Sequence, residues 1–520
     1  MDIGPPEPAR IRRHLSIVVV GFFGLRAALW ATGLRFEDHL KGQLQLLDEK
    51  VLTANPFVAF TQLNIQPPLW NFYVGAVRAW SPLPAAATFQ IVWVAADLAT
   101  VLMLWDLLVR LGARRWQATV ATVLVASNPL LVSSESFLRY ETAVTFLVTA
   151  SVFAFARFVE VPSARRCALF CGVLFLGVST RALLHPLWLV GGVTFAFVIA
   201  RRAGAFSLRL LAPAAFVIVL VAGNLVYLHV RFGNSSYSSY FGMNLERIAV
   251  TTLPQDTLDR LQADGTLSDL ADVKPYVYYE DYAARRPALA RCRPGTTDPA
   301  LALPRKSSGE ANLNYVCYLG VYRVALDDSF AAIRAEPGNY ARSVAQSAVI
   351  FASWPAPFDQ PSADSFDWLE KAYKPFLLPV HVQYDVGGSD PQRITAYMVG
   401  GLERLPVLLT VVGALVLALW RGVASGWRLL RDRTAPGDEI RAWLAITVAF
   451  VALAGIAFDF YENARFRQAL DPIILGPLFV WMLAIAERIV RRLRSRVAAT
   501  SSAHEARVSG SPASTSRSRH

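Results

Sequence analysis

Charge is scarce in this sequence. Only 17% of its 520 residues are Asp, Glu, Lys or Arg, against 54% apolar residues, and mean hydropathy is +0.36. A soluble chain of this length carries more charge. Cysteine is also scarce, at four residues, and metal-ligand spacing between cysteines and histidines is missing. No cofactor is expected. A divalent metal is not indicated, because the acidic pair Asp48–Glu49 has no further ligands that can be placed beside it. A basic module interleaved with aromatics is lacking too, so the net charge of +12 does not point to nucleic acid. The basic start "RIRRHL" is not followed by a small-residue cleavage site, so the first apolar run reads as a retained helix rather than a signal peptide.

What the chain does have is a series of apolar runs of about 20 residues, the length that crosses a bilayer. Arginines cluster between them, which sets an orientation by the positive-inside rule. Arg10, Arg12 and Arg13 place the N-terminus in the cytoplasm. Spans are expected near 15–33, 86–109, 117–132, 140–158, 167–180, 183–200, 209–230, 397–420, 441–459 and 470–488. Inner loops then carry "RLGARRW", Arg165 and Arg166, Arg201 and Arg202, and "RGVASGWRLLRDR". The fold class is an all-α polytopic membrane protein with about ten transmembrane helices and both termini cytoplasmic. It divides into an N-terminal membrane module, 1–230, an extracytoplasmic domain of mixed structure, 231–394, C-terminal membrane helices, 395–494, and a Ser/Ala/Arg-rich tail, 495–520, expected to be disordered.

The stretch 34–85 is expected outside. Within it, "PPLWNFYVGAVRAW" is short for a span and reads as a helix lying on the membrane surface, with Trp70 and Trp80 at headgroup level. Cys292 and Cys317 fall in the outer polar region and are expected to form a disulfide. Cys167 and Cys171 sit at helical spacing in an apolar run and read as buried thiols.

Charged side chains of the outer segments gather at one membrane face: Glu37, Asp38, Asp48 and Glu49 in the first, Glu135 and Glu141 around the second, Arg181 and His185 at the third, and Glu462, Arg465 and Arg467 at the last. Carboxylates beside arginines suit an anionic lipid-linked substrate. A carboxylate accepts the proton of an attacking hydroxyl, and guanidinium groups hold a phosphate through paired hydrogen bonds. Blander roles fit as well. Outer loops are wet and carry charge in any case, Arg465 and Arg467 suit helix ends at headgroups, and His185 before Pro186 suits a cap. Asp97 stands apart, because it lies inside an apolar run where a carboxylate is expensive unless partnered or functional.

An acidic pair early in a long outer loop, followed by a Pro-Pro-Leu corner, resembles the GT-C superfamily of membrane glycosyltransferases, which includes protein O-mannosyltransferases and lipid A aminoarabinose transferases. Here the pair is Asp48–Glu49 and the corner is "QPPL", Gln66 to Leu69. The stretch "ENARFRQALDPIILGPL" and the helix "SVAQSAVIFASW" after "IRAEPGNYARS" are similar to late segments of such enzymes. Closer still is a group of bacterial members whose patterns resemble "QLLDEKVL", "QPPLWN", "SSESFLRYE", "TRALLHPLW" and "SSYFGMNLERI". Gln66 departs from the His or Lys usual at the corner.

The resemblance implies an active site on the extracytoplasmic face of the bacterial inner membrane, a polyprenyl-phosphate sugar as donor, and inversion at the anomeric carbon. On that reading Asp48 is the general base and Glu135 a second carboxylate. Arg181 with Arg465 or Arg467 holds the leaving phosphate, and Glu49, Gln66, His185 and Glu462 support the site. Two other readings stay open: a lipid or solute transporter, for which Asp97 is the candidate group, and an assembly protein that binds through 231–394.

Overall fold

The computed structural model describes residues 7–38, 40, 43–352, 405–460 and 463–509. It is 73% helical, and among the described residues β-structure is limited to two isolated bridges, Glu37 with Phe137 and Arg305 with Ala311. Chain order runs α1 (Glu7–Ala31), α2 (Glu49–Ala54), α3 (Val58–Thr61), α4 (Pro68–Trp80), α5 (Ala85–Arg110), α6 (Arg115–Ala126), α7 (Pro129–Glu135), α8 (Glu141–Glu160), α9 (Ala164–Thr180), α10 (Pro186–Arg202) and α11 (Leu211–Phe232). It continues through α12 (Phe241–Ala249), α13 (Gln255–Ala263), α14 (Tyr279–Arg285), α15 (Pro287–Ala290), α16 (Pro299–Ala302), α17 (Tyr318–Ala335) and α18 (Pro337–Phe351). The last four are α19 (Leu405–Leu430), α20 (Asp438–Ala457), α21 (Asn463–Gln468) and α22 (Asp471–Ser509).

Seven helices among the described residues are long and apolar enough to cross a membrane: α1, α5, α8, α11, α19, α20 and α22. The expected spans 167–180 and 183–200 form α9 and α10, of 17 residues each. The expected span 117–132 is not continuous. Asn128 accepts the Leu130 N–H at 3.0 Å and Pro129 opens a new helix, so the run splits into α6 and α7. Proline at a first helical position starts a helix and cannot continue the one before it. The start of the expected span 397–420 lies outside the described residues, and α19 continues to Leu430.

The bundle packs around Trp443 of α20. Its indole stacks on Trp188 with ring centroids 5.9 Å apart and meets the Phe170 ring edge-on at 5.6 Å. Gly192 makes room for it, since a Cβ there would stand 2.7 Å from that indole. Gly422 plays the same part between α19 and α20, where a Cβ would collide with Ala445. Outward faces stay apolar: Phe216, Val219, Val226 and Val230 of α11, and Val416, Trp420 and Val423 of α19, are exposed. Apolar belts of this size mark surfaces that meet something other than water.

The other body, the head, joins two stretches far apart in sequence. Leu47, Leu52 and Ile65 share one core with Tyr240, Tyr318 and Tyr322. Asn64 N–H donates to Asn314 Oδ1 at 2.8 Å, Asn314 Nδ2 donates to the Gln62 carbonyl at 2.8 Å, and Lys306 Nζ donates to the Gln43 carbonyl at 2.9 Å. The first polar segment therefore belongs to the later domain structurally, which crosses the expected boundary at 230. That domain, expected to be mixed, is helices and loops among its described residues; 353–394 lie outside them. Gly242 lets α12 lie directly on α17, where a Cβ would meet the Tyr322 carbonyl. Cys292 and Cys317 are bonded, with Cα atoms 5.9 Å apart, and Cys167 and Cys171 are buried free thiols.

Two further expectations need correcting. α4 forms over the expected residues and, at 13 residues, is too short to cross a bilayer. Its Trp70, however, turns inward: it is 4% exposed and stacks on Trp93 at 5.8 Å. Trp80 is the exposed one, at 56%, beside Phe57. The tail expected to be disordered is helical through Ser509, because its Ala and Arg residues are good helix formers; 510–520 lie outside the described residues.

Candidate active site

Bundle and head meet around a cavity of about 1040 Å³. Four arginines reach its wall from four different elements: Arg139 from the turn before α8, Arg181 from the end of α9, Arg247 from α12 and Arg465 from α21. Tyr140 organises two of them. The Arg181 guanidinium lies 3.8 Å from the centroid of its ring and donates to Gln45 Oε1. Arg465 donates Nη2 to the Tyr140 hydroxyl at 3.1 Å, and its Nε to Glu141 Oε1 at 2.9 Å. Arg247 pairs with Asp459 at 3.2 Å and approaches the Tyr276 ring at 5.7 Å. Asp459 is the one carboxylate among the described lining residues. Four guanidinium groups stand against two carboxylates, Asp459 on the wall and Glu141 behind Arg465, and the remaining positive charge suits a phosphate.

The remaining wall is of two kinds. Leu187 of α10, Phe450 and Leu453 of α20, and Phe458 form an apolar flank, and Leu187, Leu453 and Phe458 are also exposed. On the head side, Gln66, Ser238, Tyr240, Asn244 and Tyr276 form a polar, uncharged lobe. His185 lies on the lining as the cap of α10, its Nδ1 accepting the Leu187 N–H at 3.3 Å.

Of the residues expected in the site, Gln66, Arg181, His185 and Arg465 come together here. Asp48, expected as the base, does not line the cavity. It caps α2, accepting the Lys50 N–H at 2.8 Å, and it accepts the Ser307 hydroxyl at 3.0 Å and the Ser307 N–H. Burial alone would push its carboxyl up, but the hydrogen bonds from Ser307, Lys50 and Val51 outweigh burial and hold it below the usual value. Away from the cavity lining, it is poorly placed to take a proton from a substrate held there. Glu49 is half exposed and pairs with Arg78 at 3.4 Å, and Asp38 pairs with the same arginine at 3.1 Å. Glu37 is tied to the α7–α8 turn through its backbone.

Glu135 and Arg467 are also away from the cavity lining, sealed in the bundle. Glu135 receives Arg26 through Nε at 3.0 Å and Nη2 at 2.9 Å, while Arg26 Nη1 donates to the Ala126 carbonyl. Arg467 is 1% exposed and pairs with Asp471 at 3.2 Å. Asp97 is also 1% exposed and lies beside the Arg26–Glu135 pair. Its neighbour is the Glu135 carboxylate, and neither of its oxygens accepts a hydrogen bond from a donor among the described residues. Glu462 lies outside the described residues.

Arg139, Tyr140, Arg247 and Asp459 were not singled out by reasoning on charge. Three of them carry a signal all the same, since Arg139 and Tyr140 fall in "SSESFLRYE" and Arg247 in "SSYFGMNLERI". Asp459 carries none. Comparison of the chain with family models, with curated proteins and with solved structures finds no match in any of the three.

Proposed function

We propose that this chain is a membrane glycosyltransferase of the GT-C kind, moving a sugar from a polyprenyl-phosphate donor to an acceptor hydroxyl. The reading places about ten crossings in a bacterial inner membrane, with both termini cytoplasmic and the head and cavity on the extracytoplasmic face. One observation carries it: four arginines converge in a cavity whose opposite flank is exposed apolar side chains of the bundle. A lipid-linked phosphate needs both environments side by side. Its tail lies against Leu187 and Leu453, and its phosphate lies among Arg181, Arg247 and Arg465.

In the transfer, the acceptor oxygen bonds to the anomeric carbon from the face opposite the phosphate. The bond from that carbon to the phosphate oxygen breaks, and the electron pair leaves with polyprenyl phosphate. The proton of the acceptor hydroxyl passes to Asp459, the carboxylate of the described lining, whose Oδ1 is held by Arg247 and the Phe460 N–H. The arginines stabilise the charge that develops on the leaving phosphate. Purified protein in lipid nanodiscs, given labelled polyprenyl-phosphate sugars, is expected to bind them above a neutral-lipid control and to release sugar to an acceptor or to water. Failure to bind any of them would sink the reading.

Asp97 favours a second reading, movement of such a lipid across the membrane, because a carboxylate buried in the bundle beside a second one, Glu135, is the kind of group transporters use. Flipping of a fluorescent polyprenyl phosphate in proteoliposomes, lost in Asp97→Asn, would decide for it.

A further inference from the structure

Buried polar atoms in folded proteins are nearly always satisfied, so those left without a partner in residues that line a cavity say what belongs there. Three lining residues have one. Gln66, 8% exposed, donates through its amide nitrogen to the Tyr240 hydroxyl, but its Oε1 has no partner among the described residues. Ser238, 7% exposed, has an unpartnered Oγ, and Trp70 an unpartnered indole N–H. The segments that carry the first two are joined beside them: Ser239 N–H donates to the Asn64 carbonyl at 3.1 Å and Ser239 Oγ to Asn64 Oδ1 at 2.7 Å. The same lobe contains Tyr276, a non-glycine residue at φ +66°, a conformation that side chains rarely adopt. Its hydroxyl donates to Asn244 Oδ1 and its ring stands edge-on to Tyr240 at 5.7 Å. Strain held in place by such contacts concentrates at ligand sites.

An open amide oxygen, an open hydroxyl and an open indole N–H call for a ligand that both donates and accepts. Hydroxyl groups do both, and a ligand with several of them is a sugar ring. The lobe carries no formal charge of its own. Asp459, the carboxylate of the described lining, is already paired with Arg247, so no carboxylate of that lining stands without a cation to receive an ammonium group.

We propose that Gln66, Trp70, Ser238 and Tyr276 form a subsite for a neutral sugar ring, one that rejects a sugar carrying an ammonium group. This rests on the reading of the cavity as the site of a lipid-linked phosphate donor and adds what the head contributes to it. Gln66 then has a role at the Pro-Pro corner: the turn presents its amide to the ring.

The test uses the full chain in nanodiscs and compares wild type with Gln66→Ala and Ser238→Ala, which lie on separate segments, each checked for an unchanged unfolding temperature. Ligands are bare polyprenyl phosphate, the same lipid carrying a neutral hexose, the same lipid carrying a 4-amino sugar, and free methyl glycosides followed by saturation-transfer NMR. Wild type is expected to prefer the hexose lipid to the bare lipid. Each substitution should erase about three- to tenfold of that preference and leave bare-lipid binding alone, which would mean that the donor's ring occupies the lobe. If the preference persists but free glycosides lose binding to lipid-loaded variants, the lobe still takes a neutral ring and it is the acceptor's. If bare lipid fails to bind while glycosides bind in a Gln66-dependent way, the phosphate reading falls and the sugar subsite stands. The proposal is overturned if wild type binds neither hexose lipid nor any glycoside, if both variants bind them as wild type does, or if the amino-sugar lipid binds as tightly as the neutral one.

Discussion

Arg26 and Arg181 are both buried arginines, yet they are satisfied in opposite ways. Arg26 is enclosed: a carboxylate takes two of its donors, a backbone carbonyl a third, and the Phe22 ring covers it at 3.7 Å. Arg181 makes its contacts with neutral groups, the Tyr140 ring and the Gln45 amide; the nearby Glu141 carboxylate is hydrogen-bonded by Arg465 instead, and Arg181 lies on a cavity wall. A fully paired arginine has no remaining hydrogen-bonding capacity for a ligand and contributes to the architecture. An arginine steered by neutral neighbours keeps its charge available.

Substitutions can break or sharpen that contrast, and the largest effect belongs to the enclosed arginine. Arg26→Leu leaves the Glu135 and Asp97 carboxyl groups in the bundle without the guanidinium beside them and is expected to destabilise by about 3–5 kcal/mol, read by thermal unfolding in detergent. Arg181→Ala should leave unfolding nearly unchanged and weaken polyprenyl-phosphate binding about ten- to a hundredfold. Were the two variants to behave alike, the distinction between paired and available arginines would fail. Tyr140→Phe keeps the ring under Arg181 and removes only the hydroxyl that steadies Arg465, so affinity should fall about two- to tenfold.

Asp48→Asn gives the smallest effect and the clearest sign. The folded carboxyl titrates below its usual value of 3.8, so its contribution is present above that pH. It is lost as pH falls through the lower folded value. Wild type should exceed the variant by about 1 kcal/mol at pH 7, with the gap closing below pH 3.8 in urea titrations, and ligand binding should be the same in both. A lost activity with unchanged stability would return Asp48 to catalysis.

The sequence is most readable where the polypeptide punctuates itself. Pro67–Pro68 and the aromatic stripe after it announced α4, and the apolar runs announced the long helices. The break at Asn128–Pro129 was equally readable as a cap followed by a first-turn proline, but a hydropathy window averages over it. Site chemistry was half visible. Counting charge by loop found Arg181 and Arg465, because position along the chain predicts which face of a bundle a residue joins. It could not separate Asp48 from Asp459. That difference is one of position: Ser307, 259 residues downstream of Asp48, ties one carboxylate away from the cavity, while Arg247 holds the other on its wall. Long-range partners of this kind have no local signature.

The union of the head has a consequence for how the protein is made. Asn64 must wait for Asn314, 250 residues later, before its hydrogen bonds can form. At roughly 5–20 residues per second, that delay is on the order of tens of seconds. Through that interval Leu47, Leu52 and Ile65 have no core to enter. The newborn segment is therefore a natural client for a chaperone or for the membrane surface itself, until the later half of the head arrives and closes over it.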